Sequence, residues 1–430
     1  MAKRFMLWAA LALGVIGCTE IAQLAEPPNL YLAGSNYPAA AVPASLRSTN
    51  PRILYITDRQ AIKKDGKTIG YGRDRSQAMA FGAATVQFGA NEWSELVART
   101  HVDTGRRISR LDLVAVDEKV QFDDVPLVDA RVNGVLRVEP SAAQSYDLGR
   151  KAFQEQIRQE IARSGTGRIL VYSHGVRNDF DKSITTLANL WHFAGRRSVP
   201  LVFSWPAGNR GPLGYFRDRA SGDFSVFHAK EFLTMLAEMP EVSDIDIVAH
   251  SRGTDIMTQA LRELIIFQRG KGVRPKIGLK TGTLILAAAD LDTGIARQRL
   301  LSERFSEAFE QVNIYVNPND TALRLSSFIT KSPRIGALRQ DDFTRVEVQR
   351  LAKEGLIYFI RVEDARGADS HSYFRANPAV LSDIVLALRT RAFPGGTLRP
   401  LDRDSDGVWM LQPNYPLDRL PVVEEDVSTR

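Results

Sequence analysis

The chain has 430 residues, of which 44% are hydrophobic and 25% charged, so it has enough apolar material for a folded core and is not a wholly disordered protein. Its formal net charge of +6 comes from Lys and Arg residues that are scattered among Asp and Glu, with only short basic clusters such as Arg196-Arg197. A nucleic-acid-binding protein would concentrate its basic residues in one stripe, so we expect no nucleic-acid partner.

The first 18 residues have the pattern of an export signal. Lys3 and Arg4 precede an apolar run over residues 5–16, and Gly17 and Cys18 follow it. About 20 apolar residues are needed to span a bilayer, so this shorter run predicts a cleaved signal peptide and not a membrane helix. The stretch resembles a bacterial lipobox, which implies that residues 1–17 are removed and that Cys18 becomes a lipid-modified N-terminus.

Cys18 is the only cysteine of the chain, which excludes an intrachain disulfide and a cysteine metal site. The alternative to lipidation is a plain signal peptide with an incidental cysteine. Thr19 and not Asp follows Cys18, which by resemblance to Gram-negative lipoproteins implies anchoring in the outer membrane, facing the periplasm. Residues 18–50 are predicted to be the lipidated cysteine and a tether rich in Ala, Pro, Ser and Asn.

Beyond residue 50, strand and helix patterns alternate, which predicts an α/β protein with a mostly parallel central sheet and helices on both faces. Strands are predicted at residues 53–57, 111–116, 168–174, 199–205, 244–250, 282–288, 311–316 and 356–362. Helices are predicted at residues 181–194, 224–239, 254–267, 295–309 and 378–391. We assign residues 51–392 to this domain and residues 393–430 to a C-terminal tail that packs loosely or not at all.

The strand predicted at residues 244–250 runs into the pentapeptide Ala-His-Ser-Arg-Gly at 249–253, and a helical pattern follows directly. This is the G-x-S-x-G pattern with Ala249 in place of the first glycine. A serine on such a turn is held out of the sheet at the positive end of a helix, where backbone N–H groups face it. The context predicts Ser251 as a nucleophile, with an ordinary helix N-cap as the alternative.

Of the six histidines, only His371 comes after Ser251. In this architecture the chain order is serine, acid, histidine. A serine hydroxyl becomes an effective nucleophile when a neighbouring imidazole accepts its proton, so His371, in a polar loop after the last predicted strand, is the predicted general base. A solvated loop histidine is the alternative.

Several aspartates could orient the imidazole. Asp320 follows the strand predicted at residues 311–316 and is the first choice. Asp290 or Asp292, after the preceding strand, could supply the carboxylate instead. Two further candidates are closer to the histidine in sequence but weaker, namely Asp364 and Asp369. Each of these residues could instead be an ordinary turn or helix-cap aspartate.

An oxyanion hole needs two backbone donors aimed at the developing negative charge. One is expected from the amide of Arg252, directly after the nucleophile, and the other from the amide of Val176 in the turn after the strand at 168–174. His174 and His250 are expected to support these loops and not to transfer protons.

Five motifs in order along the chain together resemble the alpha/beta-hydrolase superfamily. They are Tyr-Ser-His-Gly-Val at 172–176, Val-Phe-Ser-Trp-Pro at 202–206, Ala-His-Ser-Arg-Gly at 249–253, Ala-Ala-Ala-Asp-Leu-Asp at 287–292 and Asn-Pro-Asn-Asp at 317–320. Within the superfamily the chain resembles, over about residues 51–392, a bacterial family of hydrolases of unknown function. The resemblance implies triad roles for Ser251, Asp320 and His371.

Arg252 stands where a hydrophobic residue is common in this superfamily. It could favour anionic substrates, but we expect its side chain in solvent or in a surface ion pair.

These features predict hydrolysis of a small-molecule ester, with a thioester or an amide as the less favoured substrates, through an acyl-enzyme on Ser251, with no cofactor and no metal. The alternative is a non-catalytic, lipid-anchored envelope protein that uses the hydrolase fold as a binding module.

Residues 402–407 resemble the start of a calcium loop. Pro413 stands where such a loop has a bidentate glutamate, so we expect a solvated acidic turn.

Overall fold

The computed structural model describes residues 24–32, 37–101, 110–211, 213–339, 342, 355–365, 370–405, 407–416 and 419–420. The predicted signal peptide, Cys18 and Asp369 lie outside the described residues. Within those ranges, no helix is both long enough and apolar enough to cross a bilayer.

The described strands form one eleven-stranded sheet and a separate two-stranded hairpin. In chain order they are β1 (Arg52–Lys64), β2 (Lys67–Gln87), β3 (Asp112–Gln121), β4 (Asp129–Val132), β5 (Val135–Val138), β6 (Arg168–Ser173), β7 (Val199–Ser204), β8 (Asp244–His250), β9 (Thr281–Ala287), β10 (Gln311–Val316), β11 (Ile357–Val362), β12 (Asp402–Arg403) and β13 (Trp409–Leu411). The order across the large sheet is β12-β13-β11-β10-β9-β8-β6-β7-β1-β2-β3.

The longer helices cover both faces of this sheet. They are α1 (Trp93–His101), α2 (Pro140–Ser164), α3 (Phe180–Phe193), α4 (Gly214–Ala237), α5 (Arg252–Gly270), α6 (Thr321–Thr330) and α7 (Pro378–Thr390). Shorter helical turns are Asn29–Leu32, Ala44–Leu46, Pro275–Leu279, Thr293–Ala296, Arg297–Leu301, Phe305–Ala308, Ile335–Ala337 and Tyr373–Ala376. Apolar residues of α2, α4 and α5 share one core cluster, and those of α1, α3 and α7 share the other.

The central strands are parallel, from β1 beside β7 through β6, β8, β9, β10 and β11 to β13. Within the described part of the large sheet, antiparallel pairs lie towards the edges, where β2, β3 and β12 are found. Strands covered on both faces need nearly continuous apolar sequence, and β7 and β9 are buried along their whole length. The predicted α/β class, with a mostly parallel sheet and helices on both faces, is confirmed.

Several elements differ from the sequence predictions, and α1, α6, β2, β4, β5, β12 and β13 were not predicted. The strand predicted at residues 53–57 is part of the 13-residue β1, which is exposed beyond Arg59 and pairs along its length with the 21-residue β2. The 25-residue helix α2 was not predicted, because only a few of its side chains, such as Phe153 and Ile157, are buried. The helix predicted at residues 295–309 is instead a series of short turns, interrupted where Arg304 has a positive φ of 52°.

Much of the segment predicted as a tether packs against the domain. Leu30, Tyr31 and Tyr37 are buried. The Asn29 side-chain amide donates to the carbonyls of Pro413 and Tyr415, at 3.0 and 2.9 Å. These apolar residues have no regular period, so the sequence pattern did not reveal their packing.

The segment predicted as a loose tail also contributes to the sheet. Strand β13 pairs in parallel with β11, and the Arg399 side chain is fully buried. In the acidic loop, Asp402 pairs with Arg419 at 2.7 Å, and Asp404 accepts a hydrogen bond from the Val408 amide at 2.9 Å. Its third aspartate, at position 406, lies outside the described residues.

Candidate active site

Ser251 lies on a sharp turn between β8 and α5. Its backbone has φ 53° and ψ −124°, in a region that non-glycine residues rarely adopt. Neighbouring backbone holds this conformation, because the Ser251 amide donates to the Ala287 carbonyl at 3.0 Å and the Asp290 amide donates to the Ser251 carbonyl at 3.3 Å. A strained residue that its surroundings hold in place is typical of a functional turn.

Close backbone packing explains the small residues around this turn. A Cβ atom on Gly253 would lie 2.5 Å from the His174 carbonyl oxygen and 2.6 Å from that of Ser173, so only glycine fits without movement. Ala249 is fully buried and pairs with Ser173 in the register of β6 and β8. The methyl group of Ala249 therefore fits at the position where the G-x-S-x-G pattern has its first glycine.

The structure brings Ser251, His371 and Asp320 into one chain of hydrogen bonds. His371 Nε2 lies 2.9 Å from Ser251 Oγ, and His371 Nδ1 lies 2.7 Å from Asp320 Oδ2. Both distances are within the range for proton transfer between side chains. Asp320 is completely buried, and its Oδ1 accepts a hydrogen bond from the Leu323 amide at 2.9 Å at the start of α6.

The alternative aspartates have other partners. Asp290 accepts hydrogen bonds from Tyr215 Oη at 2.9 Å and Ser326 Oγ at 2.8 Å, and it pairs with Arg334 at 3.2 Å. Asp292 caps a short helical turn by accepting from the Ile295 amide at 2.9 Å. The two ring nitrogens of His371 lie beside Ser251 and Asp320. Asp364 is therefore not the carboxylate that orients the imidazole.

The loop after β6 lies directly against the nucleophile. A Cβ atom on Gly175 would be 2.7 Å from Ser251 Cβ and 3.1 Å from its Oγ, so glycine is required by this close approach. The Asn178 side-chain amide donates to the carbonyls of Gly175 and Val176 and fixes the loop. Among the described residues, the backbone amides of Val176 and Arg252 donate to no protein acceptor. Two free donors beside a nucleophile can stabilise an oxyanion.

All of these residues lie in a segment that matches one protein family. Residues 149–389, more than half of the chain, match the family described as alpha/beta hydrolase of unknown function (DUF900). The chain belongs to this alpha/beta-hydrolase family. The resemblance that the five sequence motifs suggested is thereby confirmed.

Among solved structures, the chain is similar to one described as the monoclinic form of a Pyrobaculum calidifontis esterase. That similarity has 11% sequence identity and a TM-score of 0.30, and it covers 53% of this chain and 77% of the esterase chain. The sequence matches no curated protein.

In this alpha/beta hydrolase, His174 and His250 are both buried. His174 stacks on Trp205 with ring centroids 4.9 Å apart, and burial together with the nearby Arg59 charge lowers its pKa well below the usual value. His250 stacks on Phe374, and its Nε2 lies 3.0 Å from the His371 carbonyl. Burial, followed by the neighbouring His371, lowers the pKa of His250 in the same direction. Both rings are therefore neutral near pH 7, and their contacts fix the two loops that flank Ser251.

Of the two expectations for the Arg252 side chain, solvent or a surface ion pair, the structure shows ion pairs, but the side chain is buried. The guanidinium is only 6% exposed and pairs with Asp223 and Asp255, each at 2.8 Å. Helix α4 packs across α5 here, and Gly222 leaves room for the Arg252 side chain. Because two carboxylates surround it, Arg252 does not present a free positive charge to an anionic substrate.

Asn317 belongs to the Asn-Pro-Asn-Asp motif at 317–320, but it had no predicted role. Its fully buried side-chain amide donates to the carbonyls of Ala365 at 2.8 Å and Ser370 at 2.7 Å. These two carbonyls lie on either side of residues 366–369, and Ser370 directly precedes His371. Asn317 therefore connects the end of β10, which leads to Asp320, with the loop that carries the histidine.

Proposed function

We propose that this protein is a serine hydrolase that cleaves esters through an acyl-enzyme on Ser251. The observation that carries the proposal is the chain of hydrogen bonds from Ser251 through His371 to Asp320. Membership of an alpha/beta-hydrolase family agrees with this chemistry.

In this mechanism His371 Nε2 takes the hydroxyl proton while Ser251 Oγ attacks the carbonyl carbon of the ester. Asp320 stays ionised, accepts the hydrogen bond of Nδ1–H and stabilises the imidazolium. The negative charge on the former carbonyl oxygen is stabilised by the amides of Val176 and Arg252. The imidazolium then donates its proton to the leaving alkoxide, and the acyl group remains on Ser251. Water, activated by the same imidazole, attacks the acyl carbon and releases the acid and free Ser251.

A fluorophosphonate probe tests the nucleophile, because it reacts covalently with an activated serine. We expect labelling of the folded protein, complete loss of labelling in Ser251→Ala and a large loss in His371→Ala. Ser141→Ala is the control, since Ser141 is exposed at the start of α2, and it should label like the wild type. If the folded wild type does not react, the alternative of a non-catalytic binding module replaces the enzyme.

Chromogenic esters of graded acyl length test the ester specificity of the same site. We expect hydrolysis that depends on Ser251. Turnover of amides but not of esters would contradict the proposal.

We also propose that the chain is exported, lipidated on Cys18 and held in the outer membrane, facing the periplasm. The chain contacts the folded domain seven residues after Cys18, where the Ala25 amide donates to Asn189 Oδ1 at 3.4 Å. The seven residue steps from Cys18 to Ala25 can span at most roughly 25 Å when extended, so a lipid on Cys18 would keep the domain close to the bilayer. Metabolic labelling with a fatty acid should modify the wild type and not Cys18→Ser; equal labelling of both would contradict lipidation.

A further inference from the structure

Two helices flank the candidate site and touch each other there. Helix α6 begins directly after Asp320. Helix α4 is joined to the loop of Val176, because the Arg177 amide donates to Asp218 Oδ2 at 2.7 Å. Tyr215 Oη on α4 lies 3.1 Å from Ser326 Oγ on α6. The first turn of α4 and the body of α6 therefore form neighbouring walls beside Ser251.

These walls expose large apolar side chains to solvent. Phe328 on α6 is 80% exposed, and four further side chains on the two walls are more than two-fifths exposed. Together we call them the apolar rim: Leu213, Phe216, Leu325, Phe328 and Ile329. A group of large exposed apolar residues marks an interaction surface, whereas single exposed residues are common and need no explanation.

Exposed cations accompany the apolar rim. Arg217 on α4 and Arg324 and Lys331 on or just after α6 are all exposed. Among the described residues, none of the three has a carboxylate partner within ion-pair distance. Apolar side chains beside unpaired cations match the surface of an anionic bilayer, where the apolar groups enter the headgroup region and the cations meet phosphate.

We propose that the apolar rim docks onto a bilayer that contains anionic phospholipid, with the Ser251 site facing the membrane. An anionic bilayer fits better than a folded protein partner, because exposed cations without a carboxylate partner among the described residues accompany the exposed apolar side chains. Docking itself does not require Ser251 to react, so it extends the proposed function without depending on it.

The test uses the chain from Thr19 onward, which keeps all the elements given above and lacks the predicted signal peptide and lipid. Co-sedimentation is measured with vesicles of phosphatidylcholine alone and of phosphatidylcholine mixed with phosphatidylglycerol. We expect binding to the mixed vesicles, weakened about tenfold in Phe328→Ser through loss of one inserted side chain. Arg324→Glu should weaken binding to the mixed vesicles only.

Phe267→Ser is the matched control. Phe267 is 52% exposed on the same molecule, but it lies at the far end of α5, roughly 24 Å along the helix from Ser251. Its substitution should leave vesicle binding unchanged, and Ser251→Ala should bind as the wild type does. The proposal is overturned if the mixed vesicles do not bind, if Phe267→Ser weakens binding as much as Phe328→Ser, or if sedimentation shows a dimer that Phe328→Ser dissociates.

Discussion

Asp320→Asn should lower kcat/KM for ester hydrolysis by about 10⁴-fold, the loss expected when the orienting carboxylate of a serine triad becomes an amide. The carboxylate accepts the Nδ1 proton of His371, which leaves Nε2 free to take the proton of Ser251. An asparagine amide would donate to Nδ1 instead, so the proton would move to Nε2 and the imidazole could no longer act as base. The asparagine oxygen can still cap α6, so the fold should persist.

Asp292→Asn is the control for this substitution. Asp292 also accepts from a backbone amide at the start of a helical turn, and asparagine is an equally good N-cap, so its kcat/KM should stay within roughly tenfold of the wild type. Steady-state hydrolysis of a chromogenic ester measures both variants, and circular dichroism checks their folding. If Asp320→Asn keeps wild-type activity while Asp290→Asn loses it, Asp290 is the orienting acid.

The residues of the candidate site differ in how far the sequence alone could locate them. Ser251 was predictable because its local pattern joins an apolar strand to a helix. His371 was predictable because it is the only histidine after Ser251 in the chain. Asp320 was one of several aspartates after strands, and only the folded geometry shows which carboxylate meets the ring. The role of Asn317 could not be predicted, because its partners at positions 365 and 370 become neighbours only when β10 and the histidine loop come together.

The fold shows the same division between local and long-range information. Strands β6 to β11 were predicted to within about two residues, because strands buried on both faces need uninterrupted apolar runs. The outer half of β1 is largely exposed, and α2 buries only a few residues, so neither produced a clear pattern. The packing of Tyr31 and Tyr37 depends on contacts with residues more than 50 positions away, which no local periodicity reports.

The C-terminal segment is the clearest case, because a polar cluster holds it. Arg399 forms two hydrogen bonds to Asp383, at 2.8 and 2.7 Å, and both side chains are fully buried. Its Nη1 also donates to Asn313 on β10 at 2.8 Å, and Tyr415 Oη donates to Asp383 at 2.9 Å. In the sequence these residues are polar positions separated by up to about a hundred residues, and polar residues alone do not predict a core.

Arg399→Ala should therefore lower the free energy of unfolding by about 3–5 kcal/mol, because it leaves the Asp383 carboxylate buried without its cation. Arg419→Ala is the control: it removes an exposed pair with Asp402 and should cost at most about 1 kcal/mol. Urea unfolding followed by tryptophan fluorescence measures both. Replacing both members of the buried pair, as Arg399→Met with Asp383→Leu, should recover part of the loss, since no buried charge remains. An unchanged midpoint in Arg399→Ala would mean that the segment after α7 does not unfold cooperatively with the sheet that carries Ser251.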